Sequence, residues 1–196
     1  MKRIAIFASG GGSNARRIIE HLADSEQIKV ALIVTNRSKA GVLTIAEDHD
    51  VPSLLINKSK LNDKVYMEYI LSEYKIDFIA LAGFLMLIPE FLVESYENRM
   101  VNIHPSLLPS FKGLNTHQRA IDAGVKVSGC TVHFVSPEMD EGPIISQAVV
   151  AVNDTDTEGE LASRILIQEH KLYPEALALL VKDALSIDGQ VVKVKN

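Results

Sequence analysis

Cysteine is almost missing from this 196-residue chain. Cys130 is the only one, so no internal disulfide can form, and a reducing cytoplasm suits such a protein. It sits in the apolar segment Gly129 to Phe134, where a small buried hydrophobe is the expected role. Long apolar runs are missing too. The longest, Phe78 to Ile88, falls far short of the ~20 residues a membrane-spanning helix needs; it reads as a buried strand with its exit loop. Met1-Lys2-Arg3-Ile4 leads straight into a strand pattern and has no signal-peptide layout. No block of like charge stands out: 20 Lys and Arg oppose 25 Asp and Glu, for a net charge of −5. Neither nucleic acid nor membrane is therefore an expected partner. Gly-Lys-Ser/Thr is absent, which excludes a P-loop nucleotidase. Repeats and low-complexity linkers are absent as well.

What is present is the material of a core. Hydrophobic residues make up 47% and charged residues 23%, proportions of a folded domain, and the length suits one domain over 1–196. Apolar runs at Ile4 to Ala8, Val30 to Val34, Leu54 to Ile56, Phe78 to Leu81 and Met100 to His104 alternate with helical patterns. Those helices cover Asn14 to Ala23, Val42 to His49, Asp63 to Tyr74 (Val65, Tyr69 and Ile70 on one side) and Pro89 to about Tyr96. This order predicts an α/β fold, Rossmann-like, with a mostly parallel sheet and helices on both faces. The last third differs. Val127 to Phe134 and Ile144 to Val152 are separated only by a loop, which favours an antiparallel C-terminal edge. A long helix from about Thr157 to Asp183 follows, with Pro174 as a potential kink. Ile187-Asp188-Gly189-Gln190 then reads as a hairpin turn.

The first strand runs into Ser9-Gly10-Gly11-Gly12-Ser13-Asn14. Glycines let the backbone approach a ligand closely, and free N–H groups at a helix start favour phosphate. A tight turn with a good helix cap is the plainer alternative. Gly10-x-Gly12-x-x-Ala15 is also a loose dinucleotide fingerprint. The second strand, however, ends in Thr35-Asn36-Arg37, without the carboxylate that an NAD site wants. Arg37 could instead face an NADP phosphate.

Asn102 and His104 lie two apart on one strand and so share a face, with Ile103 opposite. At the carboxyl edge of an open α/β sheet, an amide and an imidazole suit carbonyl chemistry. The amide can donate to a developing oxyanion and the imidazole can move a proton near neutral pH. Asp140, in Ser136-Pro137-Glu138-Met139-Asp140-Glu141-Gly142-Pro143, is the candidate third member, since a carboxylate favours the protonated imidazole. Spacing alone does not bring it to His104. In the long helix Glu169 interrupts the apolar stripe Leu161, Ile165, Leu172, Ala176, Leu179, where a carboxylate needs a partner or a polar cavity. A ribose hydroxyl is its functional reading, and a partly exposed acid near Pro174 the bland one.

Taken together, these stretches resemble the phosphoribosylglycinamide formyltransferases, folate-dependent enzymes of purine synthesis. The similarity rests on Gly10-Gly11-Gly12-Ser13-Asn14, Leu81-Ala82-Gly83-Phe84, Asn102 to Pro109, Thr131-Val132-His133-Phe134, Asp140 to Pro143 and Gln168-Glu169-His170. It runs in order from about residue 3 to 183. The resemblance implies Asn102, His104 and Asp140 as the catalytic trio. It implies Gly11, Gly12, Ser13, Asn14, Ala15 and Arg16 as the phosphate loop, with Gln168 and Glu169 on the ribose side. Leu85, Met86, Leu87 and Ile88, with Asn102, Ser136 and Asp140, would form the folate pocket. The implied reaction moves a formyl group from the co-substrate 10-formyltetrahydrofolate to the amine of glycinamide ribonucleotide, through a tetrahedral oxyanion and with no metal. A homodimer is among the assemblies the resemblance allows. Met86 stands where some members carry arginine, and Asn115 where some carry histidine. His117 and His133 read as structural.

Two enzyme rivals share the trio. A formyltetrahydrofolate deformylase would use water as acceptor and adds an N-terminal regulatory domain. A methionyl-tRNA formyltransferase would need a tRNA-binding domain and a basic surface. The rival outside the transferases is an NADP-binding protein, which leaves the Asn–His pair unexplained.

Overall fold

A computed structural model describes residues 1–195. They divide into two compact units, Met1–Val101 and a second that begins at Asn102. The first unit contains β1 (Lys2–Phe7), α1 (Ser13–Leu22), β2 (Ile28–Thr35), α2 (Val42–Asp48), β3 (Ser53–Leu55), α3 (Lys58–Leu61), α4 (Lys64–Glu73), β4 (Phe78–Leu81) and α5 (Glu90–Ser95). Its strands lie in the order β3-β2-β1-β4 and every pairing is parallel. Ile4, Ala5, Ile6 and Phe7 are fully buried, as an unbroken apolar run requires when both faces of a strand are covered. The glycine loop follows β1 directly, at the carboxyl end of a parallel strand.

Two details of this unit differ from the sequence pattern. α4 buries Met67 and Leu71, not Val65 and Tyr69, which are 77% and 60% exposed. The helix carries apolar residues on two sides, and the i, i+4 pair Met67–Leu71 is the one turned inward. α3 was not anticipated: Lys58–Leu61 is short and polar, and its start is held by Asn57 Oδ1 accepting from Lys60 N at 2.9 Å. Pro89 stands just before α5, as expected.

The second unit opens within β5 (Met100–His104). It continues with α6 (Thr116–Asp122), β6 (Val127–Phe134), β7 (Ile144–Ala151), α7 (Glu158–Val181), β8 (Leu185–Asp188) and β9 (Val191–Val194). The order is β5-β6-β7-β9-β8. β6 and β7 are antiparallel, from Val127↔Ala151 to His133↔Ile144. β8 and β9 form an antiparallel hairpin about Gly189, whose φ is 59°. The expected class, a mostly parallel α/β fold with an antiparallel C-terminal part, is the observed one.

α7 begins in a capping box, with Thr157 and Glu160 satisfying each other's backbone N–H groups. It runs through Pro174 without ending. Leu161, Ile165, Glu169, Tyr173 and Leu177 form a buried i, i+4 row, with Pro174, Ala176, Leu180 and Val181 buried beside it. The expected Ala176 is buried, whereas Leu172 and Leu179 are only half-buried and Tyr173 and Leu177 are buried instead. Among the described residues, no helix is long and apolar enough to cross a membrane.

Candidate active site

β5 turns Asn102 and His104 to one side and Ile103 to the other. His104 is 5% exposed. Its Nε2 lies 3.0 Å from the carbonyl oxygen of Phe111. A carbonyl only accepts, so Nε2 carries the proton and donates. Nδ1 lies 3.4 Å from Asp140 Oδ2. Both ring nitrogens thus face acceptors, and a doubly protonated ring would donate on both sides.

Asp140 comes from the loop between β6 and β7. This loop turns back at Gly142, where a Cβ would stand 1.8 Å from the Phe134 carbonyl oxygen. The return is sealed by the Phe134 N–H donating to Pro143 O at 2.9 Å. Asp140 adopts a left-handed φ of 56°, and its Oδ2 also accepts from the Gly113 N–H at 2.8 Å. Asp140 and the Phe111 carbonyl therefore bracket one imidazole, and Gly113 holds Asp140.

A second histidine belongs to this cluster. His133 Nδ1 donates to the Phe134 carbonyl at 2.8 Å, which leaves Nε2 as an acceptor in the neutral ring. Asn102 Nδ2 lies 3.1 Å from that Nε2 and donates to it. Burial holds His133 below the ordinary histidine range; the Phe134 carbonyl and then Asp140 pull the other way, and His104 adds to the lowering. Asp140 Oδ1 is 3.7 Å from Nε2, but a neutral ring whose Nε2 already accepts forms no ion pair there. His133 thus fixes which way the Asn102 amide points. The sequence signal for this contact lies in the alternation of β6. Thr131 and His133, two apart, share a face of β6.

His117 is half-buried at the start of α6. Burial lowers its proton affinity, Glu158 raises it and His104 lowers it. Ser136 donates to Glu138 O at 3.0 Å within the loop. Glu169 is 8% exposed on α7, with Gln168 beside it. Its charge helps push the Tyr173 hydroxyl well above the ordinary range, after burial as the larger cause. Cys130 is fully buried, and burial together with Glu169 pushes its thiol up to about 12. The expectation of a small buried hydrophobe holds.

The first unit carries the remaining candidates. Gly10 and Gly11 are exposed, and a Cβ on either would meet nothing within 4 Å. Gly12 differs: its φ is 78°, and a Cβ would stand 2.8 Å from Val42 and Ile45 atoms. Gly12 is the residue before α1, and no side chain caps that helix; Ser13 and Asn14 are half-buried in its first turn, followed by buried Ala15 and exposed Arg16. The loop 85–88 presents Leu85 and Leu87, 56% and 75% exposed, with Met86 and Ile88 half-buried. Its start is tied to the end of β1. Ser9 Oγ accepts from Leu85 N at 2.8 Å and donates to Asn36 Oδ1 at 2.6 Å. That role for Ser9 had no sequence signature beyond its place after a strand.

Comparison with known proteins defines the class first. Residues 2–177, which include parts of both units, match the family model of formyl transferases. The phosphoribosylglycinamide formyltransferase of Bacillus subtilis (strain 168) is 38% identical over 186 residues, covering 92% of this chain and 95% of that protein. The crystal structure of glycinamide ribonucleotide transformylase 1 from Symbiobacterium toebii superposes with a TM-score of 0.94 at 37% identity, covering 100% of this chain and 95% of that one. This chain belongs to the phosphoribosylglycinamide formyltransferase family. Other relatives are much longer: the chain spans only 20% of the human trifunctional purine biosynthetic protein adenosine-3, at 36% identity.

Proposed function

We propose that this protein transfers the formyl group of 10-formyltetrahydrofolate to the amine of glycinamide ribonucleotide, in the cytoplasm, as a step of purine synthesis. The observation that carries the reading is the His104 ring held between Asp140 and the Phe111 carbonyl. Beside it stands an Asn102 amide oriented by neutral His133.

In this reading the substrate amine attacks the formyl carbon and a C–N bond forms. The carbonyl oxygen gains negative charge, which the second Asn102 N–H and the protonated His104 ring stabilise. Asp140 balances the imidazolium. The bond from the formyl carbon to the folate nitrogen then breaks; the attacking amine gives up one proton and the leaving nitrogen gains one. His104, with an acceptor on each side, is the group that can carry that proton. Phosphate of the ribonucleotide is assigned to the loop Gly11 to Arg16, where open space above Gly10 and Gly11 supports close approach. Glu169 and Gln168 are assigned to the ribose, and Leu85 to Ile88 with Ser136 to the folate.

The test is direct. Purified protein given both substrates should change folate absorbance only when glycinamide ribonucleotide is present. Formate release without the amine would make it a deformylase instead. Tight NADPH binding with no transfer would favour the dinucleotide reading of Gly10-x-Gly12.

A further inference from the structure

Residues 111–115 reach the His104–Asp140 pair through main-chain atoms alone. The Phe111 carbonyl receives His104 Nε2, and the Gly113 N–H donates to Asp140 Oδ2. This strap is conformationally unusual. Phe111, Gly113 and Asn115 all have left-handed φ, at 55°, 80° and 56°. Glycine adopts that geometry freely, but phenylalanine does so reluctantly and asparagine only somewhat more readily. A segment of this kind persists where its surroundings hold it.

Arg119, on α6, grips it from one side, while Lys112 Nζ donates to Glu141 Oε1 at 2.7 Å. Arg119 Nη1 donates to Lys112 O at 2.5 Å and to Leu114 O at 3.2 Å, and its guanidinium carbon lies 5.7 Å from the centre of the Phe111 ring. The first of these contacts matters most. The Lys112 carbonyl and the Gly113 N–H belong to one planar peptide and point to opposite sides of it. Fixing the carbonyl on Arg119 therefore aims the N–H at Asp140. The planar guanidinium holds its N–H groups in fixed directions, whereas an ammonium is a compact point charge on a flexible stem.

We propose that Arg119 is a positioning residue for the His104–Asp140 pair, acting through the Lys112–Gly113 peptide and the Phe111 carbonyl. The inference rests on the catalytic reading of His104 and Asp140 given above. Arg119 is exposed and touches neither side chain, so its effect must arrive through the strap.

The experiment compares Arg119→Ala and Arg119→Lys with wild type in kcat, in KM for both substrates, and in the nitrogen NMR shifts of the His104 ring. Displacing a reacting group by about 1 Å can cost about 10²-fold in rate. A kcat loss of about tenfold or more is therefore expected for Arg119→Ala, with KM unchanged. Nε2 should lose part of its proton to Nδ1. Arg119→Lys should fall between, and it serves as the test if the alanine variant fails to fold. Wild-type kcat with an unchanged Nε2 shift in either folded variant would overturn the proposal. The ring shifts keep the two readings apart. If His104→Ala proves fully active, the catalytic reading falls, while the shifts still report whether Arg119 sets the tautomer.

Discussion

Asp140 Oδ2 stands 3.4 Å from His104 Nδ1 and accepts at the same time from the Gly113 N–H. The carboxylate is thus locked from a second direction, and its side chain is only 10% exposed. An acid held this way keeps its place beside the ring without help from substrate.

The first prediction follows from that lock. His104→Ala removes the proton carrier and should lower kcat by about 10²–10⁴-fold. Asp140→Ala should lose most turnover as well; it frees the Gly113 N–H as His104→Ala frees the Phe111 carbonyl, so both variants should also melt somewhat lower. Steady-state kinetics with circular dichroism melts checks both. Full activity in either folded variant would remove the assigned role.

The second prediction concerns pH. Burial makes His133 harder to protonate in the folded chain than in the unfolded one. On acidification the unfolded chain therefore takes up the proton first. Stability from this site is complete above about pH 6.5, the unfolded value, and is lost as pH falls below it. His117 shifts in the same direction. Melting temperature should decline with acid below that point, and His133→Gln should shallow the decline without abolishing it. In the folded chain protonation comes at more acid pH than in the unfolded one; it would turn His133 Nε2 into a donor, so the Asn102 bond breaks, and kcat should fall at that lower pH, after the loss of stability has begun. An equally steep melting profile in His133→Gln would count against this account.

Much of the frame was readable because strands buried on both faces spell themselves out in apolar runs, as Ile4 to Phe7 do. Asn102 and His104 were readable for a related reason: a two-residue period puts both on one face. The same period applied to Thr131 and His133 would have found the second histidine. Phe111 and Gly113 are another matter. They act through a carbonyl and an N–H, which every residue possesses, and through left-handed backbone that only Gly113 advertises. Asp140 was named from its loop, but its reach to His104 depends on the turn at Gly142, a distance effect no spacing encodes.

Glu169 leads to a third prediction. It occupies the buried row of α7 between Ile165 and Tyr173. If it accepts ribose hydroxyls, removing the charge costs a charged hydrogen bond of ~1.5–3 kcal/mol. Glu169→Gln should then raise KM for glycinamide ribonucleotide about ten- to a hundredfold. KM for the folate should stay put. A variant with changed melting temperature and unchanged KM would assign Glu169 to packing instead.

The glycine loop allows a sharper separation of fold from ligand, because its glycines differ. At Gly12 a Cβ would collide with Val42 and Ile45 at 2.8 Å, on backbone whose φ is 78°. Gly12→Ala should destabilise the protein by at least ~1–2 kcal/mol from the left-handed backbone alone, visible as a lower melting temperature. At Gly10 and Gly11 an added methyl meets no protein atom within 4 Å. Gly10→Ala and Gly11→Ala should therefore melt like wild type. If a phosphate lies against this loop, the methyl groups occupy its space, and KM for glycinamide ribonucleotide should rise while KM for the folate does not. Methyl groups that change neither melting nor KM would move the phosphate away from this loop. That outcome would leave the His104 chemistry intact and require another anchor for the ribonucleotide.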